Sequence, residues 1–357
     1  MSFIRKHFSL LLAVLAIAAL SDCGNSRIGH VAYVSLGGAN KVAGYKIGSS
    51  GKLSVIQGSP FSGGSTPESL FIHPSKKFVY AANQAGGDIS LFGIDSSSGA
   101  LTESSSRTTA GTNPTALAMD SNGEFLFVAN SGSSSISVYS INANSGALTP
   151  VTGSPFPTSS GPIALTVVSN KFLYVANANA ATVSAYSISS SSGQLTQITG
   201  SPFAVGTDPY SVATDPSGHF LYIANLVSGT ISAFSIDSTS GSLSAIASYS
   251  AGTNPISVAV EKSGKYAYVA NSGSSNVSAF SIDSTSGALT EISGSPFGAG
   301  SNPVFAVVDA SGKFLYVGDQ ASTIYGFSID SSTGALSGAA GSPYSVGSAP
   351  SFMSTSP

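Results

Sequence analysis

Apolar residues fall in short runs that recur down the chain: Phe78-Val-Tyr-Ala-Ala-Asn83, Phe125-Leu-Phe-Val-Ala-Asn130, Phe172-Leu-Tyr-Val-Ala-Asn177, Phe220-Leu-Tyr-Ile-Ala-Asn225, Tyr266-Ala-Tyr-Val-Ala-Asn271 and Phe314-Leu-Tyr-Val-Gly-Asp319. A degenerate copy, Val31-Ala-Tyr-Val-Ser-Leu36, precedes them, and the run ends are 47, 47, 47, 48, 46 and 48 residues apart. Within each run no polar residue alternates with the apolar ones, the pattern of a strand covered on both faces.

The segments between runs predict three more strands per repeat. In the third copy, Asn113-Pro-Thr-Ala-Leu-Ala-Met-Asp120 is a short apolar stretch ending in the turn Asp120-Ser-Asn-Gly123, which leads into the signature run. Ile136-Ser-Val-Tyr-Ser-Ile141 has the β-branched and aromatic content of a third strand. After the turn Asn142-Ala-Asn-Ser-Gly146, the stretch 147–153 is predicted as the fourth, with Pro150 marking it as an edge.

Four short strands repeated with this period predict an all-β chain, a single seven-bladed β-propeller of four antiparallel strands per blade. No first strand precedes Val31, whereas Ala349-Pro-Ser-Phe-Met-Ser-Thr355 resembles a first strand with no blade after it. The two ends are therefore expected to share a blade with strands at 31–36, 41–47 and 53–58, closing the ring and leaving no open inner edge. One domain over 30–357 follows, in place of the two that length alone suggests.

Charged residues make up only 8% of the chain, 16 acidic against 13 basic, so no basic footprint for nucleic acid is present. At the N-terminus, Arg5, Lys6 and His7 precede the apolar run Phe8 to Leu20. Thirteen residues suit a signal-peptide core and are too few to span a bilayer. The only cysteine, Cys23, follows Leu20-Ser-Asp, an imperfect lipobox with Asp22 where a small residue is usual. The expected organisation is a lipoprotein-type signal peptide over 1–22, an anchor linker over 23–29, and an exported monomer whose only membrane contact is the lipid on Cys23.

The Tyr-Val-Ala-Asn phrases, turns such as His73-Pro-Ser and Asp215-Pro-Ser-Gly218, and Gly-Ala-Leu-Thr at 99–102, 146–149 and 287–290 resemble the seven-bladed propeller lactonase family. That family includes 6-phosphogluconolactonase-like proteins and overlaps the YVTN-repeat propellers. The resemblance spans nearly the whole chain after the leader and implies hydrolysis of a sugar lactone at one face of the ring. Its shared motifs are the structural repeats, which specify fold rather than activity.

With strands alternating up and down, the turns before first strands and the loops after signature runs share one face, here the top. His30, His73 and His219 all map to the bottom, so a Ser-His-Asp arrangement at the top has no candidate. The strand-ending asparagines and Asp319 are expected to hold turns, as are Asn113, Asp208, Asn254 and Asn302 at position i of type I turns before proline. The residues after the turn prolines are Glu68, Thr115, Ile163, Tyr210, Ile256, Val304 and Ser351. Glu68 and Tyr210 break the series. At a channel mouth Glu68 can act as a base toward water, and Tyr210 can hydrogen-bond a lactone carbonyl or sugar ring. Asp208, Asp88 and Asp319 are the other top-face acids. Asp208 completes the candidate catalytic set, and the acids together leave a divalent metal open as the one cofactor.

Phosphate recognition lacks cations: outside the leader only Arg27, Arg107 and scattered lysines remain, with Lys41 the top-loop exception. A neutral lactone or glycan is the better enzymatic expectation. The competing class is a non-catalytic binding or scaffold propeller at the cell surface. A quinone or haem enzyme is disfavoured by the lack of tryptophan and of a Cys-x-x-Cys-His motif.

Overall fold

The computed structural model describes residues 29–356. The leader, Cys23 and Arg27 lie outside them. Seven sheets form, each holding a second strand that carries the signature run. In the third blade Pro114–Met119, Phe125–Asn130, Ser135–Ile141 and Leu148–Pro150 lie in that order, every neighbour antiparallel. The expected seven-bladed, all-β fold with four antiparallel strands per blade is what the chain adopts.

Each of the seven hydrophobic clusters sits between two neighbouring blades, and none is shared by all. The unbroken apolar character of the runs follows from this. Phe78, Tyr80 and Ala82 bury toward the third blade, while Val79 and Ala81 bury toward the first. All six residues of every signature strand are buried.

The signature tyrosine also clasps the next blade. Its ring is fully buried, and its hydroxyl donates to the carbonyl of the hairpin glycine one blade on: Tyr80 to Gly146 (2.7 Å), Tyr174 to Gly241 (2.7 Å), Tyr222 to Gly287 (2.9 Å), Tyr268 to Gly334 (2.9 Å). Tyr33 reaches Gly99 in the same way, and Tyr316 reaches Gly51 across the ring closure. Phe127 interrupts the series. The glycines need their positive φ, and a Cβ on Gly287 would stand 2.3 Å from the Phe220 ring.

Closure is by strand sharing. Phe352–Thr355 pairs antiparallel with Val31–Leu36, which pairs with Lys41–Ile47 and then Leu53–Val55. Met353 is fully buried, and Ser356 and Val31 exchange backbone and side-chain hydrogen bonds.

The fourth strand differs from expectation. It is not one strand over 147–153 but two short pieces, Leu148–Pro150 and Phe156–Pro157, both paired to the third strand. Gly153-Ser-Pro-Phe lies between them, and its glycine at positive φ and its proline without an N–H break the ladder. The serine repairs the gap: the Val138 N–H donates to Ser154 Oγ at 2.9 Å, and Ser59, Ser201, Ser295 and Ser342 do the same in their blades. Two blades lack the phrase: in the second the outer strand is split all the same into Leu101–Glu103 and Thr108–Thr109, whereas in the fifth Leu243–Ser250 runs unbroken.

Candidate functional site at the channel mouth

The inner strands Pro67–Ile72, Pro114–Met119, Pro162–Val168, Pro209–Thr214, Pro255–Val260, Pro303–Val308 and Phe352–Thr355 surround a central channel. In the second to seventh blades the register slips just after the opening proline, for example between Pro67 and Ser69. The bulged residue is the one after proline: Glu68, Thr115, Ile163, Tyr210, Ile256 or Val304. A bulge bends the strand and re-aims a side chain. All six, with Ser351, line one cavity of about 620 Å³ in the upper channel. The ring of seven positions aligned by sequence is thus one wall in space.

Most hydroxyls of this wall are engaged in stitching inner strands together. The Leu117 N–H donates to Ser69 Oγ (3.2 Å), Thr115 Oγ1 to the Pro162 carbonyl (3.1 Å), the Val258 N–H to Ser211 Oγ (3.1 Å) and the Ala306 N–H to Ser257 Oγ (3.0 Å). Glu68 and Tyr210 remain as the two ionisable residues of the wall. Glu68 is half-buried, and burial pushes its carboxyl above the usual glutamate range against a hydrogen bond from Ser351 that lowers it. Tyr210 is held above its usual pKa by burial first, then by the negative charges of Glu68 and Asp208. Its hydroxyl therefore stays protonated across the neutral range and remains a donor.

Ser351 is a neighbour of Glu68 that its sequence gave no reason to single out, because its lowering influence on the Glu68 carboxyl spans the ring closure. Room for it is made by Gly37: a Cβ there would stand 2.8 Å from Ser351 Oγ. Ser35 adds a second tie, donating to the Glu68 carbonyl at 3.3 Å.

The remaining acids are not brought to this cavity. Asp208 is outside its lining and acts on Tyr210 through charge. Asn113, Asp208, Asn254 and Asn302, expected at position i before the turn prolines, have φ between 52 and 59°, in the left-handed region. Asn and Asp tolerate that region best among residues with a Cβ. Asp88 accepts from Asn83 Nδ2 at 2.6 Å, and Asp319 accepts the Thr323 and Ser301 N–H groups. Among the described residues no three His, Cys, Asp or Glu side chains gather as metal ligands. A mouth with one carboxylate is a poor donor set for a divalent cation.

The strand-ending asparagines have the structural role expected of them. Asn130, Asn177, Asn225 and Asn271 each donate through Nδ2 to a third-strand serine seven residues on, at 2.9 to 3.0 Å. A glycine crosses close above: a Cβ on Gly111 would lie 2.6 Å from the Asn130 side chain. The histidines are at the bottom, where His73 Nε2 meets the Gly123 carbonyl at 3.0 Å and His219 contacts Ser217. Asp120 there accepts the Glu124 and Phe125 N–H groups and holds its hairpin. Arg107 pairs with Glu103 on the outer edge at 2.8 Å, and Lys41 is solvent-exposed, so neither lines the cavity.

Solved structures share this architecture end to end. A "putative 6-phosphogluconolactonase" from Bacteroides fragilis is 22% identical, with 93% of this chain and 99% of that one covered at a TM-score of 0.80. A protein of the same description from Bacteroides uniformis is 18% identical, with 92% and 100% covered at 0.80. The periplasmic gluconolactonase of Pseudomonas aeruginosa is 20% identical, with 92% and 99% covered at 0.76. At these identities the likeness establishes the fold. No curated protein matches the sequence. The family described as "Lactonase, 7-bladed beta-propeller" matches residues 16–112, 104–163, 155–260 and 257–351, and the chain belongs to that family.

Proposed function

We propose that the protein hydrolyses an unphosphorylated lactone at the top of its channel, with Glu68 as general base and Tyr210 as carbonyl hydrogen-bond donor. The observation that carries this reading is that the wall's two ionisable residues, contributed by the second and fifth blades, face one cavity and both have raised pKa values. A raised carboxyl pKa brings a base nearer the working pH and improves proton abstraction. In the reaction, water attacks the lactone carbonyl carbon while Glu68 accepts the water's proton. The Tyr210 hydroxyl donates to the carbonyl oxygen as negative charge develops there. Collapse breaks the ring C–O bond, and the proton passes from Glu68 to the departing ring oxygen, giving a hydroxy acid. Ser351 is a positioning residue for the carboxylate.

No lysine or arginine lines the cavity, so a phosphate would find no cation there. The neighbours described as phosphogluconolactonases therefore guide the reaction class and not the substrate. The test is hydrolysis of neutral and phosphorylated lactones by the purified protein beside Glu68→Gln. Turnover lost in the variant, with a wild-type rate that rises with pH through the Glu68 pKa and stays level until Tyr210 ionises, supports the assignment. Rates no faster than buffer across the panel sink it and favour the competing reading of a binding or scaffold propeller.

Export and anchoring through acyl chains on Cys23 belong to the same proposal, supported by Arg5, Lys6 and the apolar run to Leu20. Loss of membrane association in Cys23→Ser would support it, and unchanged fractionation would remove it.

A further inference from the structure

Below the mouth the channel continues into a second cavity of about 710 Å³ that opens toward the bottom face. Phe71, Leu117, Leu165, Thr166 and Phe352 line both, so the two cavities meet at a waist. The chemistry changes along this path. At the top stand one carboxylate and one phenol. Ile163, Ile256 and Val304 share that ring of positions, and beneath it the partly exposed apolar wall is Phe71, Val307, Val308 and Phe352, with Val167 past the waist. Near the mouth Ser69, Thr115, Ser211 and Ser257 are held by neighbouring strands, Asp120 at the far end is committed to backbone N–H groups, and the side-chain hydroxyls of Thr166, Thr214 and Thr355 are spread singly along the rest of the wall. A polyhydroxylated ring would leave most of its hydroxyls without partners on such a wall, and each unmade bond in a desolvated site counts against binding. An alkyl chain loses nothing there and gains from burial.

We infer that the substrate is an amphiphilic lactone, its ring held between Glu68 and Tyr210 and an alkyl tail running down the channel through the waist. This rests on the lactone reading above and adds the substrate's chemical class. The ring carbonyl must face Tyr210 and the water beside Glu68, so the tail leaves from the ring carbon that bears the ring oxygen, as in the γ-alkyl lactones. Hydrolysis then yields a hydroxy fatty acid whose carboxylate is set beside Glu68 at the mouth, where like charges favour departure upward.

The experiment pairs hydrolysis with calorimetric binding, using γ-butyrolactone, γ-octalactone, γ-dodecalactone and glucono-δ-lactone on the purified protein. At about 0.8 kcal/mol per buried methylene, kcat/KM and affinity are expected to rise about fourfold per methylene until the tail passes the waist. Thr166→Phe, which places a ring in that waist, should flatten the rise at the longest chain. Glu68-dependent hydrolysis of glucono-δ-lactone with no gain along the alkyl series would overturn the inference and leave the lactone hydrolase standing. Binding that strengthens with chain length but no hydrolysis would do the reverse. An undiminished slope in Thr166→Phe would also overturn it, since the tail would then not traverse the waist.

Discussion

Phe127 offers a way to add a blade-to-blade bond that its neighbours already make. Six signature strands carry a tyrosine whose hydroxyl reaches a hairpin glycine carbonyl in the next blade, and Phe127 is the one copy without the oxygen, the equivalent hairpin glycine of the next blade being Gly193. Phe127→Tyr should complete the set. A buried hydrogen bond nets about 1 kcal/mol, and at ~2.1 cal/mol/K per residue a domain of roughly 330 residues unfolds with about 0.7 kcal/mol/K, so Tm should rise by about 1.5 °C. The reciprocal change, Tyr222→Phe, leaves the Gly287 carbonyl without its phenol and should cost about 1–3 kcal/mol, a fall of about 1.5–4 °C. Differential scanning calorimetry of both variants at one scan rate measures the pair. The opposite signs are what matter. If Phe127→Tyr lowers Tm as Tyr222→Phe does, the added oxygen finds no acceptor at Gly193, and the clasp is not a transferable unit of the ring.

Two further perturbations test the site and the closure. Because burial raises the Glu68 pKa, the native state holds this proton more tightly than the unfolded chain, so its contribution to stability is lost as pH rises from the ordinary glutamate range through the raised value. Glu68→Gln should therefore match wild type in urea melts well below that window and exceed it above. Equal midpoints at both ends would refute the burial argument. Deleting 349–357 removes Met353, fully buried in the composite blade, at a cost of at least about 2–5 kcal/mol from that side chain alone, and opens the ring. A broadened urea transition with a lowered midpoint is expected, and an unchanged one would show that closure adds nothing.

The fold was legible because each blade repeats one solution: the signature run reads as a strand buried on both faces since alternate residues enter opposite inter-blade cores. The split outer strand was not, because its logic lies in Ser154 substituting a side-chain acceptor for a ladder carbonyl, which composition does not display. At the site, alignment of the positions after proline placed Glu68 and Tyr210 on one wall, since the repeat carries spatial equivalence with it. What alignment could not supply was the bulge that turns those residues inward. Nor could it supply the spent state of Ser69, Thr115, Ser211 and Ser257, whose partners are backbone groups one blade away. Asp208 entered the candidate set as a top-face acid, but which acids reach the channel depends on side-chain placement, and it stands outside the cavity lining.

A ring of near-identical blades has no intrinsic site, because any group repeated seven times around an axis gives a symmetric wall. Here the bulge after proline supplies the inward position in the second to seventh blades, and Ser351 of the closing segment supplies the seventh, so asymmetry enters only through which side chain occupies each. Glu68 comes from the second blade and Ser351 from the closing segment of the first. The lowering influence of the Ser351 hydroxyl on Glu68 therefore exists only in the closed ring. Loosening the terminal strand should raise the Glu68 pKa further, by removing the contact that lowers it, before the ring itself unfolds. The pH profile of the proposed lactone hydrolysis is then a local reporter of closure, and Ser351→Ala should shift its acidic limb to higher pH while leaving Tm within the range of an ordinary surface substitution. A limb that does not move would mean that Ser351 neither donates to Glu68 nor links closure to chemistry.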